Sequence, residues 1–269
     1  MENFLTTLAI IFYALSAVYF YLKFFLKKEK TRTLAVLFLL LGFITHGLDL
    51  LVFALDQHRF PAANLIEAFS PISLLVIAFF IYVVRKEEMD ATGVVMIPLA
   101  ILGILVTAGF RHGEPVSEPV IRSGWIYIHI PLMILSIASL TLTFVLAVLY
   151  LLQERQLKSK HPSSYSYRLP SLEACERFST RSLWFGFLLL TMGILTGIVW
   201  SKHLRGVYWS WDYKETWSVV TWAIYAVLIH GRLLSAWRGR KAAYLAIVVF
   251  VFMAFTIGIS VFFRSYHSF

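Results

Sequence analysis

The sequence predicts an all-α integral membrane protein: a bundle of eight transmembrane helices with both termini outside. Three observations predict it. The composition is one no soluble fold can bury, eight separate apolar stretches have spanning length, and the basic residues alternate between connections. Of the 269 residues, 59% are hydrophobic and 14% are charged, and the mean hydropathy is +0.75. A soluble domain is about 45–50% apolar and about 25% charged. A soluble enzyme of this size has too little interior for so much apolar surface. A disordered chain is excluded for the same reason. The single cysteine, Cys175, excludes an intramolecular disulfide and any Cys-rich metal site.

A helix crosses a bilayer with about 20 apolar residues. Such stretches run over about 4–26, 34–55, 66–84, 93–110, 125–152, 182–200, 216–235 and 242–263. They are continuous rather than alternating, which excludes barrel strands. The first is too long for a signal peptide and lacks a basic start. It leads into Lys27, Lys28, Lys30 and Arg32 rather than a small-residue cleavage site. The second carries His46 in its apolar interior, and the fifth has His129 just inside its start. The polar connection 153–181 contains Pro170-Ser171-Leu172-Glu173, a helix start preceded by proline, and is expected to hold a short surface helix. The sixth stretch contains Gly193-xxx-Gly197, a spacing that lets helices approach closely. The seventh carries Trp217, Trp222 and His230, and the eighth ends shortly before His267. No internal repeat is evident, so residues 1–269 read as one polytopic membrane domain.

Orientation follows from charge. Of the 24 Lys and Arg residues, 17 fall on one set of connections: around 23–32, 85–86, 155–181 and 232–241. Basic residues stay inside, so the termini lie outside. The net charge of +9 is therefore topology, and no nucleic-acid partner is expected.

Two features carry chemistry. Residues 201–217 form an outside, tryptophan-rich connection, ending Trp209-Ser210-Trp211-Asp212-Tyr213-Lys214-Glu215-Thr216-Trp217. With Trp200 and Trp222, five of the eight tryptophans fall within 23 residues. An interfacial belt would spread over both interfaces; this cluster sits in one connection. It predicts a flat aromatic platform for a planar apolar ligand, because indole faces stack on a π-system. The second feature is histidine placement. His129 and His267 both fall at the face that carries the tryptophans, while His46 and His230 lie within helices. Ionisable side chains inside a membrane are rare and usually functional. Imidazole is also a common ligand of haem iron. An iron porphyrin, as non-covalent haem b, answers both features. His129 and His267 would be axial ligands, and the tryptophans would cover the macrocycle. Lys202, Arg205 or Lys214 are candidates to face the propionates.

The stretch from Trp209 to Trp217 resembles the WWD signature of membrane haem-handling proteins, above all the CcsA (ResC) type of system II cytochrome c maturation. The resemblance extends through Leu169-Pro170-Ser171-Leu172-Glu173, Thr196-Gly197-Ile198-Val199-Trp200, His230-Gly231-Arg232, Ile128-His129-Ile130 and Ser265-Tyr266-His267-Ser268. It covers about 125–269, and reaches the N-terminal half more loosely through 60–67. The resemblance implies that His129 and His267 hold haem at the outer face, and that His230, with His46, serves a deeper haem site. It implies a CcsB (ResB)-type membrane partner, an apocytochrome c substrate, and membership of a cytochrome c haem lyase (holocytochrome c synthase) complex. The location implied is the inner or thylakoid membrane. Two departures stand out: the family usually has Pro at Tyr213, and Trp-Gly at Arg205-Gly206.

The function expected is therefore haem carriage or presentation at the outer face for covalent attachment to apocytochrome c. The alternative is a HemX-like membrane regulator of haem synthesis that binds haem without ligating it to protein. No residue reads as an acid–base dyad or activated nucleophile, so no catalytic residue is expected.

Overall fold

In a computed structural model the described residues are 2–26, 30–62, 64–85, 89–110, 123–161, 163–234 and 237–264. They form eight long helices and no strands: α1 (Glu2–Leu26), α2 (Thr31–Gln57), α3 (Leu65–Val84), α4 (Asp90–Phe110), α5 (Ile126–Lys158), α6 (Leu172–Arg205), α7 (Tyr213–Leu233) and α8 (Arg240–Arg264). Seven are long and apolar enough to cross a membrane. The exception is α7, whose ends carry Lys214, Glu215, His230 and Arg232.

The expected surface helix before the sixth stretch is instead the opening of α6 itself. Ser171 caps the helix start, its hydroxyl accepting from the Ala174 N–H at 3.1 Å. No proline follows up to Arg205, so nothing stops the polar turns from continuing into the apolar ones. A one-turn 3₁₀ segment, Ser166–Arg168, precedes it.

The chain divides into two compact units. The first comprises residues 1–115 and 149–175 and centres on α1–α4. Its core holds Tyr13, Phe20, Leu39, Ile77 and Phe80, with Phe20 and Phe80 edge to face at 5.3 Å. Gly42 gives Tyr13 its room, since a Cβ there would lie 2.6 Å from the ring. Buried polar groups of α1–α3 find partners, as an apolar interior favours. Thr6 donates to Asp49 at 2.9 Å, and Arg59 makes two hydrogen bonds to Glu67, at 2.6 and 2.7 Å. Asn64 caps α3 by accepting from the Glu67 N–H.

The second unit comprises residues 116–148 and 176–269. A ladder of small polar groups joins α5 to α6: Ser136 donates to the Gly186 carbonyl at 2.8 Å and Ser139 to the Ser182 carbonyl at 2.9 Å. Gly186 and Gly193 let α5 come close, since a Cβ on either would strike Leu140 or Met133. The α6–α7 seam is held by Trp222, whose indole N–H donates to Thr191 at 2.9 Å and whose ring stacks on Phe187.

Candidate functional site

The site is built at the C-terminal end of α6. The helix stops at Arg205, where Gly206 turns the chain with φ +75°. Ser201 donates back to the Val207 carbonyl at 2.9 Å and Lys202 to the Gly206 carbonyl at 2.6 Å. The Lys202 ammonium also sits 5.2 Å from the Tyr208 ring centroid. Beyond this turn come Trp209, Ser210 and Trp211. The next helix begins at once, because Asp212 caps it. The Asp212 carboxylate accepts from the Glu215 N–H at 2.8 Å, and Glu215 reaches back to accept from the Ser210 N–H at 2.7 Å. This is a variant of the reciprocal capping box. Burial works to raise the Asp212 carboxyl; the Glu215 backbone N–H and the Arg205 guanidinium outweigh it and hold the group below its ordinary value.

The tryptophan connection is not the flat shelf expected. Trp209 and Trp211 meet edge to face, their planes at 83° and centroids 5.9 Å apart. Trp211 stands out of the loop, 78% exposed, with left-handed backbone at φ +59°. Trp217 and Trp222 do not join them. Once Asp212 has started α7, both are carried into the helix, where Trp217 packs on Phe252 of α8 and Trp222 holds the α6 seam.

His129 lies one turn into α5 and is half-buried against the same end of α6. Its Nδ1 is 2.8 Å from the Gly193 carbonyl, and its ring centroid is 5.4 Å from that of Trp200. Gly197 makes the seat possible, because a Cβ there would lie 2.9 Å from the imidazole Cε1. The Gly193-xxx-Gly197 spacing therefore houses a specific side chain as well as bringing two helices together. The bond also fixes a tautomer. A carbonyl only accepts, so Nδ1 carries the proton and Nε2 keeps its lone pair. Nε2 has no hydrogen-bond partner among the described residues. Two indole N–H groups, of Trp200 and Trp209, are also buried without a partner among the described residues.

The other candidate histidines differ. His230, near the end of α7, is exposed, and its Nδ1 lies 2.8 Å from the Ala226 carbonyl. By the same argument its Nε2 lone pair is available. It borders a pocket of about 380 Å³ lined by Ala226, Val227, Gly231, Leu234 and Trp237. Two residues on, Arg232 donates to Ser179 and Thr180 of α6. His129 bonds Gly193, thirteen residues further along α6, or about 20 Å at 1.5 Å per residue. The two histidines therefore serve different places. His46, in the first unit, is fully buried, with Nδ1 3.4 Å from the Tyr13 hydroxyl and Nε2 2.9 Å from the Ser70 hydroxyl. His267 lies outside the described residues.

Arg205 has a larger part than its sequence position suggested. Its guanidinium binds Asp212 at 2.9 Å, Ser210 at 3.0 Å and Ser201 at 2.9 Å, and pairs with Glu215. The signal that would have found it is the acidic pair Asp212-x-x-Glu215 facing a fork-shaped cation one short loop away. The same contacts commit Arg205 within the loop rather than to a ligand.

The model of the cytochrome C assembly protein family matches residues 1–265. The chain belongs to this family. Among its relatives are cytochrome c biogenesis proteins CcsA. That of Guillardia theta is 30% identical over 217 residues, covering 73% of this chain and 72% of the relative. That of Chlorella vulgaris is 28% identical, covering 91% and 89%. That of Chlamydomonas reinhardtii is 33% identical over 201 residues, covering 74% of this chain and 49% of the relative. Within a CcsA-type cytochrome c biogenesis protein, an aromatic loop at the same helix end as a histidine with an available nitrogen is the natural place to look for chemistry.

Proposed function

We propose that this protein binds haem b non-covalently and presents it at the outer face of the membrane for covalent attachment to an apocytochrome c. One observation carries the reading: His129, seated by Gly197 and tautomerically fixed by the Gly193 carbonyl, offers Nε2 at the helix end that bears the tryptophan loop. The residues present fit an iron porphyrin. Nε2 would be a donor to the iron, the Trp200 and Trp209 N–H groups, unpartnered among the described residues, would suit an anionic or polar edge, and exposed Trp211 would offer an indole face. His267 is the second ligand in this reading, and His230 the ligand of a second, separate haem. His46 would have to give up Ser70 to bind a metal, so its role is in packing.

Bound haem supplies the vinyl groups that take up the substrate's thiols. The protein's part is to hold and orient. His129 would hold the iron, Trp209 and Trp211 would cover the ring, and Asp212 orders the loop. Cys175 stands at the opposite end of α6 and takes no part. In the same reading α7 is an eighth span, since its 21 residues reach about 31 Å. Both termini then lie outside, and a CcsB-type membrane protein is the partner in the inner or thylakoid membrane. The test is the absorption spectrum of the purified protein, with and without that partner co-expressed. A haem b spectrum whose pigment is extracted by acid and organic solvent is expected. A colourless protein that also refuses added haem overturns the reading.

A further inference from the structure

Trp211 adopts a backbone conformation that a bulky L-residue rarely takes, with φ at +59°. Such a conformation persists only where the surroundings over-determine it. Its side chain is 78% exposed and meets only the edge-to-face Trp209 ring among the described residues, which leaves it unenclosed. The constraint comes from its two chain neighbours. Ser210 and Asp212 bracket Trp211, and one nitrogen of Arg205, Nη1, binds both, at 3.0 and 2.9 Å. The Ser210 hydroxyl closes the triangle by donating to the same Asp212 oxygen at 3.2 Å. The other nitrogen, Nη2, binds Ser201 on α6 and Glu215 on α7. Glu215 in turn accepts from the Ser210 N–H. One planar group thus ties the end of one helix, the loop and the start of the next.

We propose that Arg205 is a positioning residue that acts through Ser210, Asp212 and Glu215 to hold Trp211 in its left-handed, outward pose. Lysine does not replace it. An ammonium is a single compact charge, and cannot serve acceptors on two sides through a rigid fork. The loop's geometry stands independently of what the loop binds; the effect on haem rests on the function proposed above. The consequence for ligand choice is that both terminal nitrogens of Arg205 are already engaged by this chain's own oxygens. It shapes the ligand's seat without touching the ligand.

The experiment uses the full chain in detergent, labelled with 5-fluorotryptophan and with the Trp211 resonance assigned by Trp211→Phe. Fluorine spectra are recorded for Arg205→Lys, Arg205→Gln, Asp212→Asn and the Arg205→Gln/Asp212→Asn double variant, with Lys158→Gln as control. Haem uptake is measured on the same samples. Arg205→Lys and Arg205→Gln are expected to shift or broaden the Trp211 signal, and the control is not. Haem uptake in both is expected to weaken about tenfold, the low end of what losing a ligand-orienting partner costs. The double variant is expected to match Asp212→Asn alone, because the two residues act as one unit. A wild-type Trp211 signal in Arg205→Lys overturns the proposal, as does an additive loss in the double variant. If the Trp211 signal responds as expected but the wild-type chain takes up no haem, the positioning role holds and the haem reading falls.

Discussion

His46 and His129 are the same side chain in the same setting, an apolar helix, and the structure uses their ring nitrogens differently. His46 is enclosed, and each nitrogen meets a hydroxyl. A hydroxyl both donates and accepts, so Tyr13 and Ser70 satisfy the imidazole in either tautomer. His129 is partnered at Nδ1 only, by the Gly193 carbonyl at 2.8 Å and, further off at 3.4 Å, by the Thr196 hydroxyl, which already donates to backbone carbonyls of its own helix. The carbonyl dictates where the proton sits and leaves the other nitrogen as an acceptor. What separates a packing histidine from a candidate ligand is therefore the chemistry of its partners, not its depth or burial.

The largest expected effect is at His129. His129→Gly should reduce bound haem by more than the tenfold to hundredfold (roughly) that loss of a mere orienting partner costs. Added imidazole should restore it by supplying the same donor nitrogen. Loss without rescue would make His129 a packing residue like His46. The converse test is His46→Ala, which orphans the buried Ser70 hydroxyl. It should cost about 1–3 kcal/mol of stability, measured by thermal unfolding, while haem per folded molecule stays at the wild-type level. A selective loss of haem there would reverse the contrast.

A finer test moves the seat and leaves the ligand. Gly197→Ala puts a Cβ 2.9 Å from the His129 ring, an overpacking worth about 1–3 kcal/mol. It should also displace the haem absorption bands. Gly47→Ala, with nothing within 4 Å, should instead gain up to about 1 kcal/mol from helix propensity. The smallest effect is at Asp212. Asp212→Ala should cost about 1 kcal/mol through the lost cap, and Asn should retain most of it. The Asp212 carboxyl titrates below its ordinary value in the folded protein. Its contribution is therefore complete above about pH 4 and is lost as pH falls through the folded value. An acid-unfolding profile that is unchanged in Asp212→Asn would remove that contribution.

The eight helices were legible because each crosses one apolar stretch, and hydropathy sees that directly. The ends of α5 and α6 were not. Their polar turns remain helical outside the apolar run, where nothing in the sequence breaks them. The placement of Trp209, Trp211 and His129 toward one end of α6 was also legible, from aromatic and imidazole groups clustered at one face of the predicted helices. Which tryptophans work together was not. Trp222 belongs to a seam because Thr191 and Phe187 await it on α6, and a cross-helix partner leaves no periodic trace. The partners of His46 were hidden for the same reason, since Tyr13 and Ser70 come from other helices. Arg205 was read for its charge alone, as one of several cations near a ligand. Its charged acceptors lie past the turn, at the start of the next helix, but that capping pair was already visible in Asp212 and Glu215.

The uninterrupted course of α6 has a mechanical consequence. From Glu176, which accepts from the Gly239 N–H, to Arg205, it is one rod without proline. A helix has a fixed pitch, so its two ends keep a set height and azimuth relative to each other. Inserting a single residue between Ser182 and Gly193 would raise the tryptophan loop by about 1.5 Å and swing it through about 100°. Gly193 and Gly197 would turn with it, and the notch that receives the imidazole would open away from α5. The length of this rod is thus a calibrated dimension, and side-chain changes along it should be far better tolerated than insertions or deletions.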